Sequence, residues 1–103
     1  MTTDAVIKEV IKVDTKIAPP VNYNVIYEND EVTTRDFVIE TLVLVFNHDQ
    51  TTAESLTEKV HVEGKAVVAT LPYEIAEQKG VEVTVLARNN GFPLSVKLEP
   101  NSW

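Results

Sequence analysis

Asn29 and Asp30 place an amide and a carboxylate side by side in a loop. The loop joins a strand-like run, Tyr23-Asn24-Val25-Ile26-Tyr27, to the capped helix entry Thr33-Thr34-Arg35-Asp36. Pointing the same way, the two groups would hold a cation or an amine, and loops on rigid flanks are where binding groups concentrate. Taken alone, the pair reads as turn chemistry, because Asn and Asp bond their own backbone in tight turns. His61 shares a helix face with Thr57, four residues earlier. A lone histidine is usually a surface or satisfied core residue, the only reading that His48 receives. Covalent catalysis requires a nucleophile beside a base. The chain has no cysteine, and Ser55 lies six residues before His61, off its face, so the residues do not favour an enzyme. His61, Glu63 and Asp30 as metal ligands would be a common accident of two carboxylates and one imidazole. No metal or cofactor is expected.

These groups must be positioned by one domain. A chain of 103 residues with 44% hydrophobic and 24% charged content suits a single core. Its formal charge of −7 argues against nucleic acid, which is bound mainly through clustered Lys and Arg. No apolar run nears a membrane span, and the first residues lack a signal pattern. The absence of cysteine rules out a disulfide framework and fits a reducing compartment, so a cytoplasmic location is expected.

Residues 1–18 read as an N-terminal extension dispensable for the fold. Their β-branched apolar residues alternate with charges and leave the conformation open, between a flexible arm and one packed on a sheet edge or a neighbour. Ala18-Pro19-Pro20 breaks any regular element, and the domain proper is expected over 19–103. After the strand, a helix is predicted over about 34–46 with Thr33 as N-cap and Phe37, Val38, Leu42, Val45 and Phe46 on one face. Thr51-Thr52-Ala53-Glu54 reads as a capping box opening a second helix that Gly64 ends in a left-handed cap. A strand over Lys65–Leu71 follows, then a third helix with Pro72 in its first turn. That helix carries Ile75, Ala76, Val83, Leu86 and Ala87 and ends at Asn89-Asn90-Gly91. Alternation over Leu94–Glu99 gives the last strand. The order β-α-α-β-α-β predicts an α+β fold, a small three-stranded antiparallel sheet packed against three helices.

The strand run, Asn29-Asp30, Asp36-Phe37-Val38, Val60-His61-x-x-Gly64, Ile75-Ala76-Glu77-x-Lys79, Ala87-Arg88-x-Asn90 and Pro93-Leu94 occur together in this order. The set resembles the ClpS family, adaptors of the ATP-dependent Clp protease, over nearly all of Pro19 to Pro100. The resemblance implies a protein that binds substrates with a destabilising first residue (Leu, Phe, Tyr or Trp) and hands them to the Clp unfoldase. By that resemblance Asn29, Asp30 and His61 hold the substrate α-amino group, three acceptors facing a pure donor. Thr33, Val38, Thr57, Val60 and Leu94 line the side-chain pocket, Arg35 stands at its mouth, and Glu74 and Lys79 dock on the N-terminal domain of the unfoldase. The implied protein is a monomeric adaptor with no nucleic-acid or membrane partner.

Two positions depart from the family pattern. Where methionines stand at the pocket mouth and on one wall, this chain has Arg35 and Thr57. Methionine is adaptable apolar filler, whereas an arginine can cover an aromatic ring or fold across the opening and pair with Asp36 or Glu31. The first role predicts a preference for aromatic first residues over Leu. The second would plug the pocket and leave a modulator that docks on the Clp unfoldase without carrying cargo.

Overall fold

The computed structural model describes Lys12–Val13 and residues 22–101. Its elements in chain order are β1 (Lys12–Val13), β2 (Asn22–Glu28), α1 (Arg35–Leu44), α2 (Gln50–Glu63), β3 (Lys65–Pro72), α3 (Tyr73–Asn89) and β4 (Ser95–Pro100). The expected three-stranded antiparallel sheet with three helices is present: β2 lies in the centre, antiparallel to β3 on one side and β4 on the other. Lys12–Val13 extends this sheet as a short fourth strand, parallel to β4 at Lys97 and Leu98. The rest of the 1–18 extension and the Pro19-Pro20 boundary lie outside the described residues.

Strand β2 alternates as a half-buried strand should. Tyr23, Val25 and Tyr27 turn inward to meet Phe37, Val38 and Leu42 of α1, Ala53 and Val60 of α2, and Ala76, Val83 and Ala87 of α3. Ile75 and Leu86 of α3 are exposed. The Tyr27 hydroxyl bonds the Thr41 hydroxyl at 2.8 Å, and Thr41 in turn donates to the Val38 carbonyl. Burial pushes the Tyr27 phenol up, against the opposing effect of Thr41. Among the described residues no buried side-chain N or O atom lacks a partner.

Three helix caps differ from expectation by one or two residues. Thr34, not Thr33, caps α1, its hydroxyl accepting from the Phe37 amide at 3.2 Å, because Thr33 is already bound to Asp30. Asp49, not Thr51, caps α2 by accepting from the Thr52 amide at 2.7 Å. These Thr52 contacts, together with the charge of His48, hold the Asp49 carboxyl below its ordinary range against a small desolvation. A carboxylate preceding the first turn suits the helix dipole better than a hydroxyl inside it. Pro72 is the N-cap of α3 rather than a residue of its first turn. Gly64 ends α2 as expected, with φ 87° and its amide donating to the Val60 carbonyl.

Edge strand β3 carries a bulge. Val25 faces Ala69 and Ile26 faces Val67, leaving Val68 as the extra residue. His48 covers that point with an Nε2···O contact of 2.7 Å to the Val68 carbonyl. Facing a carbonyl oxygen, that ring nitrogen must be the donor.

Candidate binding site

The ladder between β2 and β3 builds the site. Glu28 pairs with Lys65 at its end, so the next residue on one side, Asn29, meets the preceding residue on the other, Gly64. The Asn29 amide donates to the Gly64 carbonyl at 2.9 Å. This rung fastens the Asn29-Asp30 loop to the last turn of α2, one turn from His61.

Within the loop, Asp30 organises the chain. Its Oδ1 accepts from the amides of Val32 at 2.8 Å and Thr33 at 2.6 Å, and its Oδ2 accepts from the Thr33 hydroxyl at 2.8 Å. This is the turn chemistry that the sequence suggested. An ionised carboxylate has about four acceptor positions, so room for a further donor remains on Oδ2. Burial alone would push the Asp30 carboxyl up. The hydrogen bonds from Thr33 and Val32, with the charge of Arg88, outweigh it and hold the group below its ordinary value. Arg88, which sequence reasoning gave no role in the site, also pins the turn before β4 by donating to the carbonyls of Phe92 and Leu94 at 2.9 and 3.0 Å. Among the described residues, no hydrogen bond engages the Asn29 side-chain amide or the His61 ring, so their acceptors are unspent.

These three residues border one hollow of about 360 Å³, lined also by Glu31, Thr33, Arg35, Val38, Thr57 and Val60. The volume lies at the small end of ligand sites, which run roughly 300–1,000 Å³. On the α2 side Thr57, Val60 and His61 face the hollow from one helix stripe, and the Thr57 hydroxyl is satisfied within α2 by the Ala53 carbonyl at 2.7 Å. Leu94 does not line the hollow. It alternates in register with Val96 and Leu98, and all three are buried in the core. Glu31 does line it, although the sequence suggested only a pairing with Arg35; its place follows from being next to Asp30.

Arg35 does not fill the hollow and pairs with neither Asp36 nor Glu31. Its Nη1 reaches Glu58 on α2 at 2.8 Å. No spacing in the sequence announces this contact, because the packing of α1 on α2 creates it. Away from the hollow, Glu74 is exposed on α3 and Lys79 is half-buried, with its Nζ donating to the Val45 carbonyl at the end of α1 at 2.7 Å. Among the described residues no three His, Cys, Asp or Glu side chains gather as a metal site. His61, Glu63 and Asp30 therefore do not form one.

Comparison with known proteins places the chain among relatives. A family model described as ATP-dependent Clp protease adaptor protein ClpS matches residues 18–97. The ATP-dependent Clp protease adapter protein ClpS of Treponema denticola is 45% identical over 84 residues, 82% of this chain and 83% of that one. The corresponding protein of Nautilia profundicola is 44% identical over 92 residues, 89% of this chain and 95% of that one. Among solved structures, Agrobacterium tumefaciens ClpS2 bound to L-phenylalaninamide superposes with a TM-score of 0.77 at 37% identity, covering 81% of this chain and 100% of that one.

Proposed function

Because the chain belongs to the ClpS family of ATP-dependent Clp protease adaptors, we propose that its hollow seats the first residue of a substrate. Asn29, Asp30 and His61 accept from the α-ammonium, while Thr33, Arg35, Val38, Thr57 and Val60 enclose the side chain. The chain is an adaptor and not an enzyme: it recognises substrates with a destabilising amino-terminal residue and delivers them to the Clp unfoldase. The observation that carries the residue roles is the convergence of three acceptors, from the β2–α1 loop and the end of α2, on one partly apolar hollow.

The energetics explain why both halves of the site are needed. Burying a Leu or Phe side chain gives about 1.5–3 kcal/mol, and a hydrogen bond to a charged group about the same. Micromolar affinity requires about −8 kcal/mol net of association costs, so neither half suffices alone. Only a chain start offers both an ammonium and a side chain at this spacing, and internal residues are ignored. L-phenylalaninamide, the ligand of the Agrobacterium tumefaciens relative, has this pair of features: a free amine and an aromatic side chain.

Arg35 at the mouth favours aromatic first residues, especially Phe and Trp, over Leu, since a guanidinium can lie on a ring face. Glu74 and Lys79 form the contact with the N-terminal domain of the unfoldase, and the adaptor acts as a monomer. The test is a panel of free-amine peptides differing only in their first residue: Phe, Trp, Tyr, Leu and Ala. The aromatic peptides should bind most tightly and Ala least. Leu binding as tightly as Phe would remove the aromatic preference, and no binding by any peptide would leave a modulator that only docks.

A further inference from the structure

The ion pair at the rim of the hollow joins two helices. Arg35 is the first residue of α1 and lines the hollow. Glu58 lies on α2 outside the lining, one residue after Thr57 and one helical turn before His61. Their contact of 2.8 Å therefore ties a residue of the α1 wall to α2 beside the hollow, with both side chains more than half exposed, at 53% and 56%. The hollow stays open while the pair is made, so the pair acts as a wall and not as a plug.

A long arginine side chain free in solvent would sample many rotamers, and ordering it over a bound ring would oppose binding. Anchored to Glu58, its guanidinium is already held at the rim, where a planar ring gains more from it than a branched aliphatic group. We propose that Glu58 is a positioning residue for recognition: by tethering Arg35 at the mouth it makes the preference for Phe over Leu, and salt, which screens exposed pairs, erodes that preference. The inference rests on the recognition reading above and adds to it a residue that never touches the substrate.

The test measures the affinities of Phe- and Leu-initiated peptides, identical otherwise, for the full chain, Glu58→Gln, Glu58→Asp, Arg35→Met and the double variant, at low salt and near 1 M. The Phe-to-Leu affinity ratio should fall roughly two- to fivefold in Glu58→Gln, and by a similar factor in the unmutated chain at high salt. Glu58→Asp should restore part of it. In Arg35→Met the ratio should be low and unmoved by either salt or Glu58→Gln, a coupling that a merely structural role would not produce. An unchanged ratio in Glu58→Gln, with binding still dependent on a free amine, overturns the role of Glu58 alone. Equal binding of free and acetylated peptides by the parent protein overturns the recognition reading and this inference together.

Discussion

The backbone amide of Asn29 donates to the carbonyl of Gly64 at 2.9 Å, one rung beyond the paired ends of β2 and β3. That bond sets the distance between the loop bearing Asn29 and Asp30 and the helix turn bearing His61. Gly64 can serve there because its φ of 87° is left-handed, and a Cβ added at this position would meet no atom within 4 Å. Gly64→Ala should therefore destabilise through backbone strain alone, by about 1–2 kcal/mol. A loss of about 4–8 °C in Tm per kcal/mol is expected, with weaker binding of a Phe-initiated peptide as the Asn29 loop shifts. Thermal melts and peptide titrations check both; an unchanged Tm would show that the turn does not need glycine.

Mild acidification leaves the Asp30 acceptor intact. The folded Asp30 carboxyl lies below its ordinary value of about 4. Its contribution to stability is thus present above that ordinary value and is lost only as pH falls through the lower folded one. Between pH 7.5 and 5.5 it stays ionised, so its share of peptide affinity should be constant over that interval. His61→Ala, which removes one acceptor for the ammonium, should weaken peptide binding about tenfold or more at pH 7.5. His48 serves as control: its Nε2 donates to Val68 outside the hollow. Unchanged affinity in His61→Ala would remove His61 as an acceptor.

Tyr27→Phe tests the buried hydroxyl pair. Thr41 keeps its bond to the Val38 carbonyl, so the change removes one neutral hydrogen bond and should cost about 1 kcal/mol. Urea unfolding should show a lower midpoint at constant m value, with peptide affinity unaltered. A changed affinity would mean that β2 transmits strain to the site.

The sheet and the inward stripes of the helices were legible because each rests on local periodicity: Tyr23-Val25-Tyr27 at period two, Phe37-Val38-Leu42 at helical spacing. Gly64 was legible as a helix stop. What the chain order hid depends on competition or on distant packing. Thr33 and Thr34 are equally good caps until Asp30 claims the first. The Lys12–Val13 strand needs β4 as its template. Leu94 matched the family position for a pocket wall; it is buried like the lining residues Val38 and Val60 but is not among the residues that border the hollow. Glu58 became visible only once α1 and α2 were side by side.

Lys79, proposed for docking, also makes a structural contact. Its Nζ bonds the Val45 carbonyl at the negative end of α1, a contact of the kind that contributes about 0.3–1 kcal/mol. Lys79→Glu should weaken docking on the N-terminal domain of the unfoldase and also lower stability, while peptide binding persists. Glu74 is exposed, so Glu74→Lys should weaken docking without a stability change. A binding assay with that domain, paired with melts, decides. Undiminished docking in Glu74→Lys would place the contact on another surface.

The proposed site senses a free chain start through its ammonium and its side chain at once. Two Phe-initiated peptides, one with a free amine and one acetylated, titrated into the full chain test it most directly. Acetylation removes the charge that Asn29, Asp30 and His61 are proposed to accept from, so the free peptide should bind and the acetylated one should show no measurable affinity. Equal affinities would mean that the ammonium is not recognised.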